Sequence, residues 1–322
     1  MIRAYAHDNG KLRLLDAPVD LTHAIWIDLF EPDAAESQLV ATAFGIELPT
    51  REDMAEIETS SRLYHEGDTT FMTATLPAGA DSGDPVMGPV TFVLAPQRLI
   101  TLRHHAPRPF TTFPQRAQQA PIGCATAQGV LLGLLDAIID RLADLLERIA
   151  RDIDGISRAV FRNEIAPQGK GQDFRQTLKT IGRTGDFLSK MRESLVSLDR
   201  VLGFLGQMTL QSKDDRETRG LVKTLSRDEQ SLTQHADFLS QKVTLLLDAT
   251  LGMIDIEQSG IIKIVSVAAV VFLPPTLVAS IYGMNFAMMP ELGWRFGYPI
   301  AIGLMIISAV LPYLFFKRRG WL

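Results

Sequence analysis

The sequence predicts an α+β protein: an N-terminal α/β cytoplasmic domain, a long helical stalk and a C-terminal hairpin of two transmembrane helices. Three observations carry that expectation. Residues 1–110 hold short alternating or apolar runs separated by turn residues. Beyond Pro121 the texture changes to long stretches with aliphatic residues every three or four positions. At the C-terminal end lie two uncharged runs, Ile264–Tyr282 with 19 residues and Phe296–Phe316 with 21. At about 1.5 Å of rise per residue, either run as a helix crosses the roughly 30 Å of bilayer hydrocarbon.

Ala24–Leu29, AIWIDL, reads as a strand, and Glu31-Pro32 then starts a helix with acidic residues in its first turn. Phe71–Leu76, Val90–Leu94 and Leu99–Leu102 read as further strands, and the Gly/Asp/Pro-rich stretch Ala78–Pro89 as a surface turn. Two long amphipathic helices follow, Val130–Ile156 and about Asp173–Phe204, joined by a turn containing Pro167, Gly169 and Gly171. After a polar interval, helical patterning resumes near Ser226. Gly252 and Gly260 lower the propensity without forcing an end. Continued through Tyr282, this is one helix of 57 residues, about 85 Å long, which needs partners along its side. The divisions expected are 1–120, a small α/β domain; 121–225, a helical domain; and 226–263, the cytoplasmic stalk. Then come 264–282, the first span; 283–297, an external loop; 298–316, the second span; and 317–322, a basic tail.

The net charge of -5 argues against a nucleic-acid partner, which needs a basic face. Cys124 is the only cysteine, so an intramolecular disulfide framework and a cysteine-built metal cage are excluded. The opening MIRAYAHDNGKLRLLD has no apolar signal core, and the body is expected to remain unexported. Lys263 precedes the first span and Lys317, Arg318 and Arg319 follow the second, while the loop between them has one Arg and one Glu. By the positive-inside rule both termini are cytoplasmic and the loop is external, in a multi-pass protein of the inner (plasma) membrane surrounded by lipid.

On a helical first span, Ser280, Thr276, Leu273, Ala269, Val265 and Ile262 fall near one face, hydroxyls toward the loop and aliphatics toward the cytoplasm. Periodicity leaves two readings: close packing of small residues, or the wall of a pore with a hydrophobic constriction. Two helices cannot enclose water, so a pore requires several copies. Pro274-Pro275 inside the span frees backbone carbonyls, which either bend the helix or are absorbed by neighbours.

Tyr282-Gly283-Met284-Asn285 ends the first span. A neutral amide at a pore mouth can accept hydrogen bonds from waters held on Mg²⁺, an ion reluctant to dehydrate. Equally, Asn285 can be a helix C-cap. Gly283 and Met284 supply a turn and an apolar brace. Glu291, the one acid of the loop, either concentrates cations near the mouth, pairs with Arg295 or is simply solvated. Met284, Met288 and Met289 have no nearby His or Cys, which favours packing over a soft-metal site.

The run Tyr282-Gly283-Met284-Asn285-Phe286, followed by Met289-Pro290-Glu291-Leu292, resembles the signature and loop of the CorA family of magnesium transport proteins. Phe272–Thr276 and the ending YLFFKRRGWL extend the resemblance across Ile256–Leu322, with a diffuse signal before it. The resemblance implies a homopentamer with a funnel-shaped cytoplasmic domain, first spans lining the pore and second spans forming an outer ring. It implies Asn285 as the selectivity filter, supported by Tyr282, Gly283 and Met284, and Thr276, Leu273, Val265 and Ile262 facing the conduction path. The family commonly has an Asn where this chain has Ser259, which puts a second amide ring in doubt. Members also sense cytoplasmic magnesium at acidic sites, for which Asp228 and Glu229 are the stalk candidates here, against the plainer reading of exposed charge.

The function expected is non-enzymatic, passive uptake of Mg²⁺, with Co²⁺ and Ni²⁺ as further permeants, no cofactor, and Mg²⁺ as transported ion and regulator. No GxxxxGK[ST] nucleotide motif is present. Two alternatives stand beside it: a zinc transporter of the same fold, and a non-conducting membrane-tethered scaffold.

Overall fold

A computed structural model describes residues 1–15, 21–82, 84–120, 123–162, 174–211, 216–284 and 289–321. The chain forms two compact units, Met1–Leu247 and Asp248–Leu322.

The first unit is built on a seven-stranded sheet. β1 (Ile2–Asp8) turns back through Asn9-Gly10 into β2 (Lys11–Leu14); both turn residues have positive φ, 49° and 83°. An Asn-Gly pair adopts this geometry readily, and its twist matches that of the strands it joins. β3 (Trp26–Phe30) follows. Next come α1 (Ala34–Phe44), α2 (Arg51–Ala55) and the single turn α3 (Thr59–Arg62). Helix α1 starts at a capping box: the Glu36 amide donates to Asp33 Oδ1 at 2.8 Å, and the Asp33 amide donates to Glu36 Oε2 at 3.1 Å. Its start is therefore two residues beyond the Glu31-Pro32 pair, because the cap belongs to Asp33.

β4 (Leu63–Glu66), β5 (Thr69–Ala78), β6 (Val86–Ala95) and β7 (Arg98–Arg103) complete a sheet of order β2-β1-β3-β7-β6-β5-β4. Among the described residues, only β3 and β7 pair in parallel. The expected turn Ala78–Pro89 is shorter than its composition suggests: Val86–Pro89 pairs with Thr75–Ala78 as strand. Pro89 is tolerated because β7 pairs with β6 only from Val90 onward, so at Pro89 the strand has a partner on the β5 side alone.

Strand alternation sorts the side chains into two cores. Ile27, Leu29, Phe71, Val93, Ile100 and Leu102 face Val40 of α1 and Met54 of α2. On the opposite face, Trp26 meets Phe113 edge-on at 5.7 Å and Phe92 lies against Phe110 at 6.4 Å, both phenylalanines belonging to α4 (Pro109–Gln119). The same face holds a buried ion pair. Arg103 Nε and Nη2 donate to Asp28 Oδ1 and Oδ2 at 3.0 and 2.8 Å, Thr101 Oγ1 donates to Oδ1 at 2.9 Å, and Trp26 Nε1 donates to Thr101 Oγ1 at 3.0 Å.

Two long helices cover this face further along, α5 (Ala127–Arg162) and α6 (Phe174–Gln211). β4 stops pairing at Leu63↔Met72, and α6 takes over the edge of β5 beyond it. The Thr75 amide donates to Ser197 Oγ at 3.0 Å and Ser194 Oγ donates to the Thr75 carbonyl at 2.7 Å, so two buried serines finish what the short strand leaves unpaired.

The third long helix, α7, runs unbroken from Arg216 to Tyr282, 67 residues, through Gly252, Gly260 and Pro274-Pro275. It begins ten residues before Ser226, because the polar first turns present Val222 and Leu225 as buried anchors. The second unit holds the C-terminal part of α7, a 3₁₀ turn at Pro290–Gly293 and α8 (Gly297–Arg318).

Candidate ion-conduction site

The C-terminal part of α7 and α8 are each long and apolar enough to cross a membrane. Within 264–282 Val267 alone is buried, at 4% exposure. Ser259, Ile262, Val265, Ala269, Leu273, Thr276 and Ser280 are all exposed in the single chain. At 100° per residue, Val267 lies about 155° round the helix from the mean direction of the Ile262–Ser280 face. The side that the chain covers and the side that carries Ile262–Ser280 are therefore nearly opposite.

The helix survives Pro274-Pro275 at the expense of two hydrogen bonds, since neither proline offers an N–H to the carbonyls of Val270 and Val271. Thr276 adds a bond just beyond: its hydroxyl donates to the Phe272 carbonyl at 2.7 Å. That fixes the hydroxyl proton inside the helix and leaves the Thr276 oxygen to act outward only as an acceptor.

At the helix end the Gly283 amide donates to the Ala279 carbonyl at 3.0 Å and the Met284 amide to the Ile281 carbonyl at 3.2 Å. A Cβ placed on Gly283 would stand 3.1 Å from the Ala279 carbonyl oxygen. The glycine of the Gly-Met-Asn triplet thus permits a close backbone turn straight after Tyr282. Asn285 and Met288 lie outside the described residues. Glu291 falls in the 3₁₀ turn.

After that turn, Trp294 and Phe296 meet edge-on at 6.2 Å and the Gly297 amide donates to the Trp294 carbonyl at 2.9 Å, launching α8. The other end of α8 gathers cations and aromatics. Lys317 lies over Tyr313 at 6.0 Å, Arg319 over Phe315 at 5.2 Å, and Trp321 packs on Phe316 at 5.3 Å. Such amphipathic pairs anchor a helix end at the headgroup level.

The stalk candidates separate. In the single chain Asp228 is exposed, whereas Glu229 is 1% exposed. Helical spacing turns neighbouring residues about 100° apart, and Glu229 is carried inward with Val222 and Leu225. Burial pushes its carboxyl up from the ordinary range. A 2.7 Å bond donated by Thr233 Oγ1 opposes that shift, and the carboxylate of Asp199 on α6 adds to it. Sequence reasoning missed Asp199, an acid among many exposed ones, because its importance comes only from facing Glu229. Asp228 contributes to the raised carboxyl of Asp136 on α5, behind burial and Asp140. Among the described residues no group of three or more His, Cys, Asp or Glu could hold a metal ion.

A sheet-based soluble unit, a helix continuing from it through an apolar span, and a second apolar helix returning after a short linker define a two-span membrane protein. The family described as CorA-like Mg²⁺ transporter protein matches residues 22–318, and the chain belongs to it. Magnesium transport protein CorA of Pasteurella multocida is 37% identical over 324 residues, covering 100% of both chains. Its counterpart in Pectobacterium atrosepticum is 39% identical over 327 residues, also with 100% of both covered. The complete structure of the CorA magnesium transporter from Methanocaldococcus jannaschii superposes with a TM-score of 0.80 over 100% of this chain and 99% of that one, at 18% identity, a likeness of fold.

Proposed function

We propose that this chain assembles as a homopentamer around a central pore and passes Mg²⁺ passively into the cytoplasm, with Co²⁺ and Ni²⁺ as further permeants. The observation that carries the reading is the family match across residues 22–318, which includes both apolar helices and the Gly-Met-Asn triplet between them. The uncovered Ile262–Ser280 face supports it further: in a ring of copies that face turns to the axis, with Ser280 and Thr276 toward the mouth and Leu273, Val265 and Ile262 forming an apolar constriction. Asn285 at the mouth accepts hydrogen bonds from the waters of hydrated Mg²⁺, and Glu291 raises the local cation concentration.

With both termini cytoplasmic, as Lys317–Arg319 favour, a negative-inside potential supplies about 4.6 kcal/mol per 100 mV for a divalent ion. No ATP is needed. Cytoplasmic Mg²⁺ bound at exposed acids such as Asp228 closes the pore by its greater affinity for the closed arrangement.

Purified protein in liposomes tests this. Mg²⁺ influx is expected when internal Mg²⁺ is low and suppression when it is high, and Asn285→Ala is expected to assemble yet lose most of the flux. Zn²⁺ flux without Mg²⁺ flux would replace magnesium by zinc as cargo, and no flux of either would leave a scaffold. Normal flux and selectivity in Asn285→Ala would remove Asn285 from the filter.

A further inference from the structure

β4 begins at Leu63, directly after α3, and beyond that point α6 takes its place beside β5. A small cavity lies at this fork, lined by Thr59, Arg62, Leu63, Thr73, Ser197 and Arg200. About 10 Å³ of it is open to the centre of a water-sized particle, which is room for one. The inner wall is buried, with Thr73 6% and Ser197 8% exposed. Arg62 is half-buried and Arg200 is exposed at the rim.

Charge and hydrogen bonding together select the occupant. Two guanidiniums line the cavity, and among the described residues no carboxylate does and neither guanidinium forms an ion pair. Burial lowers the pKa of Arg62, the charge of Arg200 lowers it further, and Glu193 partly offsets both. An arginine stays charged through such a shift, so two like charges face one void. The buried hydroxyls of the wall are already engaged. Ser197 Oγ accepts from the Thr75 amide and has the Ser194 carbonyl at 2.8 Å for its proton, while the Thr73 and Thr91 hydroxyls bond each other at 2.8 Å. What the wall has left to offer is chiefly the N–H groups of two arginines, which donate and cannot accept. A water needs acceptors for its own hydrogens, whereas an anion needs donors alone. Phosphate, sulfate and carboxylates are too large for a space that seats one particle.

We infer that this cavity is a chloride site, in which one anion lies between Arg62 and Arg200 and holds α3 against α6. Arg62 is the tie between α3 and the sheet: its Nε donates to the Glu56 carbonyl and its Nη1 to Thr75 Oγ1 at 3.2 Å. Thr75 is also the residue whose backbone is completed by Ser194 and Ser197 of α6. An anion that cancels the repulsion between the two arginines therefore secures both arms of the fork. The cavity is formed within the first unit of one chain, so the inference stands apart from the transport reading.

Chloride NMR linewidths test this on the full-length protein in detergent micelles, with chloride replacing gluconate at constant ionic strength. Chloride exchanging with an asymmetric site broadens the free line, and the excess broadening should disappear as added chloride saturates the site. Bromide should displace it, and sulfate at equal ionic strength should not. Arg200→Gln changes an exposed side chain and should weaken chloride at least tenfold, as loss of about 1.4 kcal/mol would. Absence of saturable broadening in the parent protein overturns the proposal and leaves a water at the fork. Equal displacement by sulfate overturns it too, since an open basic surface would then hold the ion. So does the same saturable broadening in Arg200→Gln. Should that variant not assemble, the contrast between bromide and sulfate still decides.

Discussion

Removing Asp28 should cost the α/β unit more than any surface change in the chain. Asp28 and Arg103 join the two strands that pair in parallel at the sheet centre, with side-chain exposures of 1% and 4%. Asp28→Ala deletes two charge-assisted bonds and the acceptor of Thr101, and strands the guanidinium beneath Phe30 and Phe110, where among the described residues it keeps a bond to the His105 carbonyl. Breaking a buried pair on one side typically costs about 3–5 kcal/mol, most of it from the charge left unpaired. At a slope of roughly 3 kcal/mol per molar urea, the midpoint should fall by about 1 M or more. Trp26 is the reporter, two hydrogen bonds from Asp28 and fully buried; Trp294→Phe and Trp321→Phe remove the other signals. Asp28→Leu combined with Arg103→Met should recover most of the loss, since both charges are then gone. A midpoint unchanged in Asp28→Ala, or a double variant no better than the single one, would refute the assignment of the energy to a stranded charge.

Two further outcomes follow from the soluble unit. Because folding raises the Glu229 carboxyl above its ordinary value, stability is greatest where that carboxyl is protonated and declines as pH rises from the ordinary Glu range through the raised value; Glu229→Gln should flatten this decline and raise the melting temperature at neutral pH, and an unchanged pH profile would count against the buried acid. Cys124 is buried with its thiol pushed up to about 11, so native protein should resist maleimide at pH 8 and react only on unfolding, as mass spectrometry would show.

The long-period features were legible because each is repeated many times along the chain. Heptad-scale spacing over α5 and α6, and absence of charge over the spans, survive any single exception such as Gly252 or Pro274. The strands of the sheet centre were legible for a similar reason: AIWIDL and its partners are bounded by turn residues. β1 and β2 escaped because their alternation mixes Arg, His and Lys with the apolar positions, yet Asn9-Gly10 between them was the available hairpin signal. Asp28 also sat in view, a lone acid in an apolar strand, but its partner is 75 residues away and no local pattern connects them. On α7 the sequence marks which residues share a face but not which faces the chain covers; Glu229 acquires its role only from Asp199 on α6.

The hydroxyl of Thr276 carries one more consequence for the proposed pore. Its proton is committed to the Phe272 carbonyl, so toward a lumen the oxygen presents lone pairs alone. Waters around a cation point their hydrogens outward and can donate to that oxygen, whereas waters around an anion present lone pairs and find no donor there. In the proposed pore, a ring of Thr276 would favour hydrated cations without adding charge, and without the tight hold that carboxylates would exert on a divalent ion. Thr276→Val keeps the shape and removes the acceptor; it should lower Mg²⁺ flux several-fold, on the order of the 1 kcal/mol that a typical hydrogen bond contributes. Thr276→Ser keeps the acceptor and should retain most of the flux. Both are measured in liposomes against the quantity of intact assembly. Equal flux in the valine and serine variants would mean that hydrated ions pass this level without using the hydroxyl, and discrimination would then rest on Asn285 alone.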